Sequence, residues 1–376
     1  MESQLCSVFD LGSQTIKVQL STASKPISVL SLAGKPKYKK VIFSGLSDYD
    51  IHYSAPFHFY SDTAYDLKPT LKLSYPIQHG LIHNWDKFER IISHIYYELL
   101  KVDPSANPAI VMDVPLCPFS QREKLATFFF ETLRVPSLSM MSTAYGRILA
   151  SGKHTGVIVE CGEDVTTSVP IIEGIQYKYT IQQNYIAGRT VTEFLGKLIK
   201  HEGHWLDTSA EKELLRNIKE QACYIAIDYN KEYQMSRIEE AEQKLPDGQR
   251  LILSKNRFTA PEVLFRPNIF ELEDKGLHKL IIRSIKKCKE EHKETLYQHI
   301  LLSGGSMYFK NMTERVQKEL DAICKTKAVV EKQEDIMTSA WKGGKIVADA
   351  ALEEYMITSK EYEEKGSNSI KSKFQS

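Results

Sequence analysis

The sequence predicts a two-lobed α/β protein, and two observations lead to that fold class. The chain has 376 residues, which exceeds the roughly 250–300 residues at which a single hydrophobic core stops growing. The segments Ser7–Ser21 and Gly156–Gly174 share one pattern: an apolar strand ending in a carboxylate, then a residue and a glycine, then a second strand. A repeated unit of this kind predicts two related lobes, although the pattern alone leaves open that two unrelated β-hairpins look alike.

The composition is that of an ordinary globular protein and excludes several classes. The chain is 42% hydrophobic and 26% charged, with a net charge of +1, so bulk charge predicts no nucleic-acid or anionic-membrane partner. No apolar run approaches the roughly 20 residues of a membrane span, and the acidic Glu2 is atypical of a secretory signal. The six cysteines contain no Cys-x-x-Cys pair, which favours a reducing compartment over a zinc or disulfide site.

The elements after the first hairpin follow from periodicity and capping. Asn84 is predicted to cap a helix whose apolar residues, from Trp85 to Leu100, fall on one face. The segment Lys35–Leu73 has weak periodicity and is interpreted as a loop-rich excursion, and the Ser/Lys-rich tail from Lys365 is expected to be mobile. Further predictions are a strand at Ala109–Val114, a helix at Gln121–Leu133, a strand at Ile300–Leu302 and a helix at about Asn311–Leu320.

Three glycine loops have the chemistry of a phosphate site. They are Asp10–Ser13, Glu160–Glu163 and Ser303–Ser306; glycine lets the backbone approach a ligand, and successive N–H groups bind anions. Lys17 can return to the same place as a counter-charge for phosphate. Asp10 and Glu160, each at the end of a strand, can hold a hydrated magnesium ion through its waters. Each loop alone is weak, but all three in this order are more specific.

A series of segments resembles the actin family over almost the whole chain, from about Val8 to Tyr362. The segment Tyr75–Asp86 is similar to a family signature. Further similar segments are Arg122–Lys124, Phe130–Thr132, Ala187–Arg189, Ile218–Tyr224, Ala260–Phe265, Leu302–Gly305 and Trp341–Gly344. The chain is most similar to a divergent actin-related protein. The resemblance makes a sugar or small-molecule kinase, which shares the two-lobed fold, a minor alternative.

The resemblance implies an actin-like ATPase fold, with duplicated ribonuclease-H-like domains around a nucleotide cleft. The first lobe would comprise residues 1–150 and 339–376, with a small subdomain at about 31–75. The second would comprise residues 151–338, with a small subdomain at about 187–271. ATP or ADP with Mg²⁺ would be the cofactor, and Asp10 and Glu160 would hold the metal through water. The implied nucleotide-binding residues are Asp10, Gly12, Ser13, Gln14, Lys17, Gly162, Glu163, Asp164, Gly188, Arg216, Lys219, Glu220, Gly304, Gly305, Ser306 and Phe309.

Departures from the family cluster at the γ-phosphate, so no catalytic residue is assigned. Thr143 and Thr167 stand where the family has a water-positioning glutamine and histidine, and both are too short to hold the attacking water. The second loop carries Glu160, Glu163 and Asp164 where the family has two aspartates and a glycine. A lysine near the adenosine becomes Met337. We therefore expect nucleotide binding with weak or no hydrolysis, the alternative being drift that repacking has compensated.

The surfaces that build a filament are also altered. The segment Tyr38–Leu73 has no counterpart of the family's inter-subunit loop, and Asn268–Lys275 is too charged for an apolar plug. The resemblance therefore implies a structural subunit of a cytoskeletal or other multiprotein assembly. The alternative is a diverged filament-forming ATPase. A cytoplasmic, cytoskeletal location is expected, with the nucleus and the cilium as alternatives; which assembly it joins is not indicated.

Partners are expected to be proteins, including actin or other actin-related proteins, with no membrane and no direct nucleic-acid contact. In the family a cleft between the large subdomains receives amphipathic helices. Lys342 replaces an apolar residue there and would favour a helix with an acidic side chain. The implied cleft residues are Leu149, Gly152, Ile175, Lys342, Ile346, Leu352 and Met356.

Overall fold

The computed structural model describes residues 5–37, 59–245, 248–350 and 352–374, with only the backbone of residues 352 and 353. This part of the chain contains two six-stranded sheets flanked by helices and three small sheets. The predicted α/β fold class is confirmed. No helix within the described ranges is long and apolar enough to span a membrane.

The first half of the chain builds most of the first large sheet. The strands in this half of the chain are β1 (Ser7–Leu11), β2 (Thr15–Leu20), β3 (Ile27–Leu30), β4 (Ala33–Pro36), β5 (Phe59–Tyr60), β6 (Leu71–Ser74), β7 (Ile77–Gln78), β8 (Leu81–Ile82), β9 (Ala109–Asp113) and β10 (Ser137–Ser142). Strands β4 to β8 belong to two small sheets. Its helices are α1 (Ser61–Asp66), α2 (Trp85–His94), α3 (Phe119–Thr127) and α4 (Thr143–Ala150), with a 3₁₀ turn at Pro104–Ala106.

Two of these helices end in wider turns. The chain continues α2 as π-helix over Ile95–Leu100 and α3 over Phe128–Thr132, so both predicted helices keep their length but change their winding. Asn84 caps α2 as predicted, because its side chain accepts the Lys87 backbone N–H at 3.0 Å.

The second half of the chain builds the second large sheet. The strands in this half of the chain are β11 (Gly156–Cys161), β12 (Thr166–Ile172), β13 (Ile175–Gln176), β14 (Gln182–Asn184), β15 (Ala241–Lys244), β16 (Arg250–Leu253), β17 (Ile300–Ser303) and β18 (Val330–Lys332). Strands β15 and β16 form a separate two-stranded sheet. Its helices are α5 (Gly188–His201), α6 (Ser209–Ala222), α7 (Tyr229–Tyr233), α8 (Asn256–Glu262), α9 (Leu277–Lys286), α10 (Glu290–Gln298) and α11 (Met312–Ile323), with 3₁₀ turns at Lys178–Thr180, Pro267–Phe270 and Gly305–Tyr308.

The two large sheets share one topology. In the first sheet the order is β19-β10-β9-β1-β2-β3, where β19 is the C-terminal strand Ile357–Thr358. In the second sheet the order is β18-β17-β11-β12-β13, with β14 also paired to β12. In each sheet an antiparallel hairpin, β1-β2 or β11-β12, lies beside two parallel strands. Asp10 lies opposite Lys17 in the first hairpin, and Glu160 lies opposite Thr167 in the second. The shared order supports the duplication that the sequence left open.

The C-terminal segment returns to the first sheet. It forms α12 (Ser339–Ala350), α13 (Leu352–Tyr355), β19 (Ile357–Thr358), α14 (Ser359–Lys365) and α15 (Ser367–Phe374). Strand β19 pairs with β10, and Trp341 of α12 is fully buried in a cluster that includes Val8 of β1. These contacts join residues 339–374 to the N-terminal part of the chain.

The expectation of a mobile tail from Lys365 is wrong for its described residues. Helix α15 buries Ile370 and Phe374 in the core of the first sheet. Arg122 of α3 donates to the Phe374 carbonyl and binds Asp113. A Ser/Lys-rich composition hid two apolar side chains four residues apart, which lie on one face of a helix.

Two predicted loops have different outcomes. Residues 38–58 of the predicted loop-rich excursion lie outside the described residues, while β4, β5 and β6 form a small sheet around them in the chain. In the Asn268–Lys275 segment, Ile269 and Phe270 pack against the core of the second sheet. Glu273 and Lys275 in that segment are exposed.

Candidate nucleotide site

A cavity of about 900 Å³ is lined by both hairpins and by the glycine turn after β17. Fourteen of the sixteen predicted nucleotide-binding residues lie on its wall. They are Asp10, Gly12, Ser13, Gln14, Lys17, Gly162, Glu163, Asp164, Lys219, Glu220, Gly304, Gly305, Ser306 and Phe309. Glu160, Thr143 and Thr167, which the sequence also singled out, lie there as well.

The first hairpin presents a free cation to the cavity. The closest polar contact of Lys17 Nζ is the Thr15 carbonyl at 3.5 Å, and no carboxylate of the described residues lies within 4 Å of it. Burial lowers the pKa of Lys17, against the attraction of Asp10 across the hairpin. Since a phosphate would supply the missing counter-charge, Lys17 is suited to bind one.

Asp10 is the unpaired acid of this hairpin. Burial raises its pKa, while the charges of Lys17 and Arg147 oppose that rise. Its Oδ2 is buried and has no hydrogen-bond partner in the described part of the chain. Buried polar atoms without a partner are uncommon and indicate a ligand or water site.

The turn of the first hairpin requires glycine and is held by a neighbouring loop. A Cβ on Gly12 would lie 2.5 Å from the Thr15 carbonyl oxygen, so no larger residue fits without a shift of the backbone. The Ser13 hydroxyl accepts the Gly80 backbone N–H at 3.2 Å. The turn thus reaches the cavity in a fixed position.

The acid of the second hairpin is not free, because protein groups already pair with it. Glu160 Oε2 accepts the Thr143 hydroxyl at 2.9 Å, and its Oε1 accepts Arg147 Nη2 at 2.6 Å. Burial alone would raise the pKa of Glu160, but the Arg147 guanidinium and the Thr143 hydroxyl hold it below its usual value. Thr143 therefore contacts the carboxylate, and the Thr167 hydroxyl across the hairpin is buried without a partner among the described residues.

Arg147 is the residue that sequence reasoning missed. It follows Thr143 by four positions on α4, so both side chains lie on one helix face. Its Nη1 donates to the Ser339 hydroxyl at 2.9 Å, and its side chain is only 4% exposed. The spacing from Thr143 was the available signal, since an arginine one turn after a site residue reaches the same site.

The next two acids of the second loop are also neutralised by the protein. Glu163 lies 3.7 Å from both Arg216 Nε and Lys219 Nζ. Asp164 accepts the His79 backbone N–H at 3.0 Å and pairs with Arg189. The Asp164 side chain is 1% exposed, so its charge binds these partners and does not extend toward a phosphate.

The glycine turn closes the cavity against the second hairpin. Gly304 has φ +92°, and a Cβ there would lie 2.5 Å from the Cys161 carbonyl oxygen, so the position needs glycine on both grounds. The Ser306 hydroxyl donates to the Gly162 carbonyl at 2.9 Å. Three loops separated in sequence thus meet at one point.

Two of the predicted nucleotide-binding residues, Gly188 and Arg216, do not line the cavity but lie next to residues that do. The Gly188 backbone N–H donates to the Gly162 carbonyl at 3.0 Å, and the Gly188 carbonyl accepts Lys219. Arg216 is turned toward Glu213, which it contacts at 2.5 Å. Both therefore support wall residues and do not line the cavity. Lining residues that the sequence did not single out include Tyr224, Glu232, Met235, Arg237, Ile238, Glu239, Arg257, Tyr308 and Lys310.

The described residues fit poorly the predicted magnesium ion, which Asp10 and Glu160 would hold through its waters, because a protein cation already binds Glu160. Both oxygens of Glu160 accept hydrogen bonds from protein groups, and one donor, Arg147, is a cation. The positive charge of Arg147 would repel a divalent ion placed beside Glu160. The described residues contain no cluster of three His, Cys, Asp or Glu side chains able to hold a metal.

The residues of the predicted partner cleft are divided in their exposure. Ile175 and Ile346 are 54% and 42% exposed, whereas Met356 is buried. Lys342 already pairs with Asp335 of its own chain, so an acidic partner would have to compete for it. The Leu149 side chain packs against the Trp341 cluster, Gly152 is exposed, and the Leu352 side chain lies outside the described residues.

The family model described as Actin matches residues 2–375. The match covers nearly the whole chain, including both hairpins and the glycine turn of the cavity.

Proposed function

The chain belongs to the actin family, and from this we propose that it is a structural, nucleotide-binding subunit of a larger cytoskeletal or other multiprotein assembly, with weak or no ATP hydrolysis. One observation supports the proposal above the others. The first hairpin presents Lys17 and Asp10 to the cavity, while Glu160 of the second is fully engaged by Thr143 and Arg147.

The nucleotide is ATP or ADP. Family members generally bind nucleotide, and the cavity of about 900 Å³ is of the size that ligands of this class occupy. The phosphates lie against Gly12, Ser13 and Lys17, and the adenosine lies toward Lys219 and Phe309. The bound nucleotide stabilises the fold around the cleft, because a ligand that binds only the folded state adds its binding free energy to stability.

Hydrolysis is weak because Thr143 and Thr167 are short and because Glu160, the acid of the second hairpin, is already engaged by protein donors. A water-positioning group needs a free acceptor within hydrogen-bond reach. Glu160 has given both oxygens to protein donors, and Thr143 is one of those donors. Thr167 has a free hydroxyl, but its short side chain lies on the strand.

The second candidate function is a diverged filament-forming ATPase. The apolar Ile269 and Phe270, which would be needed on a filament contact, instead pack against the chain's own core. That packing favours a subunit that does not build a conventional filament alone. Its proposed partners are proteins, including actin or other actin-related proteins. Its proposed location is the cytoplasm and cytoskeleton. A partner helix in the cleft around Ile346 and Lys342 belongs to the same proposal.

Two measurements test the function. Millimolar ATP should raise the melting temperature of the purified protein, and the absence of any shift would contradict nucleotide binding. High-speed sedimentation with ATP and magnesium should leave the protein in the supernatant, with conventional actin as the control that pellets. Regular filaments of this protein alone in electron micrographs would favour the second candidate.

A further inference from the structure

We propose that Arg147 takes the charge-neutralising place of the divalent cation, so that nucleotide binds in this cleft without magnesium. The inference rests on the proposed nucleotide binding and deepens it by naming the cation that meets the phosphates. It concerns the floor of the cavity, which is defined here by Asp10, Lys17, Arg147 and Glu160.

The charges of the floor balance without a metal. Asp10 and Glu160 are the two acids, and Lys17 and Arg147 are the two cations. Without Arg147 the floor would carry one net negative charge and would need an added cation before it accepted a polyphosphate. The guanidinium supplies that charge from within the chain, and arginine keeps it at any physiological pH.

The guanidinium is held in place before any ligand arrives. Nη2 contacts Glu160 at 2.6 Å and Nη1 contacts the Ser339 hydroxyl at 2.9 Å. The backbone beside it is also fixed, because the Gln333 amide donates to the Arg147 carbonyl at 2.6 Å. A cation fixed on α4 in this way needs no reorganisation to meet a phosphate.

One donor of Arg147 is still unused. Its Nε–H is buried and has no hydrogen-bond partner in the described part of the chain. Asp10 Oδ2, on the same cavity floor, is likewise unpartnered. An oxygen of the ligand, or of a water beside it, would satisfy the N–H at this place.

The binding test compares ATP affinity in EDTA and in magnesium. For the natural protein, the dissociation constant for ATP in EDTA should stay within about threefold of its value in magnesium. The variant Arg147→Gln should lose about 10- to 100-fold of its ATP affinity in EDTA, the range of a charged hydrogen bond, and should regain affinity when magnesium is added.

Two further variants guard the interpretation. Arg147→Gln combined with Glu160→Gln removes the whole ion pair, avoids an unpaired buried charge and leaves the net charge of the floor unchanged. It should bind ATP in EDTA as weakly as the single variant, because the guanidinium that would meet the phosphates is missing. Arg122→Gln, which breaks a buried pair with Asp113 away from the cavity, should leave the magnesium independence unchanged. Circular dichroism and an EDTA melting curve without nucleotide establish which variants are folded. If the single variant Arg147→Gln does not fold, the ATP affinity of the double variant decides the test.

The possible failures are distinct. ATP binding by the natural protein that disappears in EDTA would overturn the role of Arg147 and leave the proposed function intact. Unchanged ATP affinity of the folded Arg147 variants in EDTA would also overturn it. Absence of ATP binding under both conditions would overturn the proposed function and this inference together.

Discussion

The two hairpins of the cleft have the same topology and opposite electrostatics. In the first, Asp10 and Lys17 lie opposite each other. Asp10 keeps an oxygen without a partner, and the polar contact of Lys17 Nζ is the Thr15 carbonyl at 3.5 Å. In the second, Glu160 lies opposite Thr167 and is bound on both oxygens by Thr143 and Arg147. One hairpin is therefore open to a ligand, while the acid of the other is satisfied by the protein itself.

The difference separates binding from hydrolysis. Phosphate binding needs free donors and cations, which the first hairpin retains. Hydrolysis needs free acceptors that orient water, and the second hairpin has turned Glu160, Glu163 and Asp164 into partners of arginine and lysine. The two hairpins, which share one topology, thus differ in that the first keeps free polar groups and the second is internally paired.

Breaking the ion pair of the second hairpin should have the largest effect on stability. Arg147→Gln leaves Glu160 buried without its cation, and loss of one partner of a buried pair costs about 3–5 kcal/mol. The free energy of unfolding from urea titration without nucleotide measures this cost. The matched variant Lys17→Met should change it by less than about 1 kcal/mol, because Lys17 has no carboxylate partner to strand. An equal loss for both variants would contradict the contrast.

Removing the free cation of the first hairpin should instead reduce binding. Lys17→Met should weaken ATP binding by about 1.5–3 kcal/mol, the range of a hydrogen bond to a charged group. Isothermal titration calorimetry measures the affinity, and Lys35→Met, which removes an exposed lysine of β4, is the control. Unchanged affinity for Lys17→Met would place the phosphates elsewhere.

The contact between the glycine turn and the second hairpin can be separated from backbone strain. Gly304→Ala combines φ +92° with a 2.5 Å approach to the Cys161 carbonyl, whereas Gly203→Ala has φ +96° and nothing within 4 Å. Strain of this kind costs about 1–3 kcal/mol, so Gly203→Ala should lose roughly 1 kcal/mol and Gly304→Ala clearly more. Thermal unfolding of the two variants measures the difference. Equal losses would mean that the turn does not need its contact with Cys161.

The smallest expected effect is on stability in acid, where Glu160 and Asp10 should change the free energy of unfolding in opposite directions. The pKa of Glu160 is lowered by folding, so its stabilising contribution is present above its ordinary pKa and is lost as the pH falls through the lower folded value. The pKa of Asp10 is raised by burial, so protonation of Asp10 adds stability as the pH falls through that raised value.

Unfolding titrations at a series of pH values between neutral and acid measure this contrast. Relative to the natural protein, Glu160→Gln should lose less stability on acidification and Asp10→Asn should lose more. The same direction of change for both variants would contradict the opposite pKa shifts.

The sequence predicted the fold and most of the cleft because both depend on local signals. Strand-turn-strand patterns and glycine loops located Asp10, Lys17 and Gly304, and family resemblance connected them. The prediction of a mobile tail was wrong, because the position of Phe374 depends on a distant partner, Arg122, that no local pattern shows.

The electrostatics of the second hairpin were less predictable. The family resemblance implied that Thr143 stands where a longer side chain is usual. The consequence depends on Arg147, whose direction is set by α4 and by Ser339 of α12. The resemblance implies that Asp164 stands where the family has a glycine, but the sequence does not show which groups it binds. Its engagement by Arg189 and by the His79 N–H is a tertiary fact that joins residues 85 positions apart.

The most direct test of the account follows the fate of bound ATP. The protein is loaded with ATP, freed of excess nucleotide and incubated with magnesium, and the bound nucleotide is then identified by chromatography over hours, with conventional actin filaments as the hydrolysing control. If hydrolysis is weak or absent, we expect that the nucleotide stays bound and remains ATP. Conversion to ADP and phosphate at the rate of the actin control would contradict it.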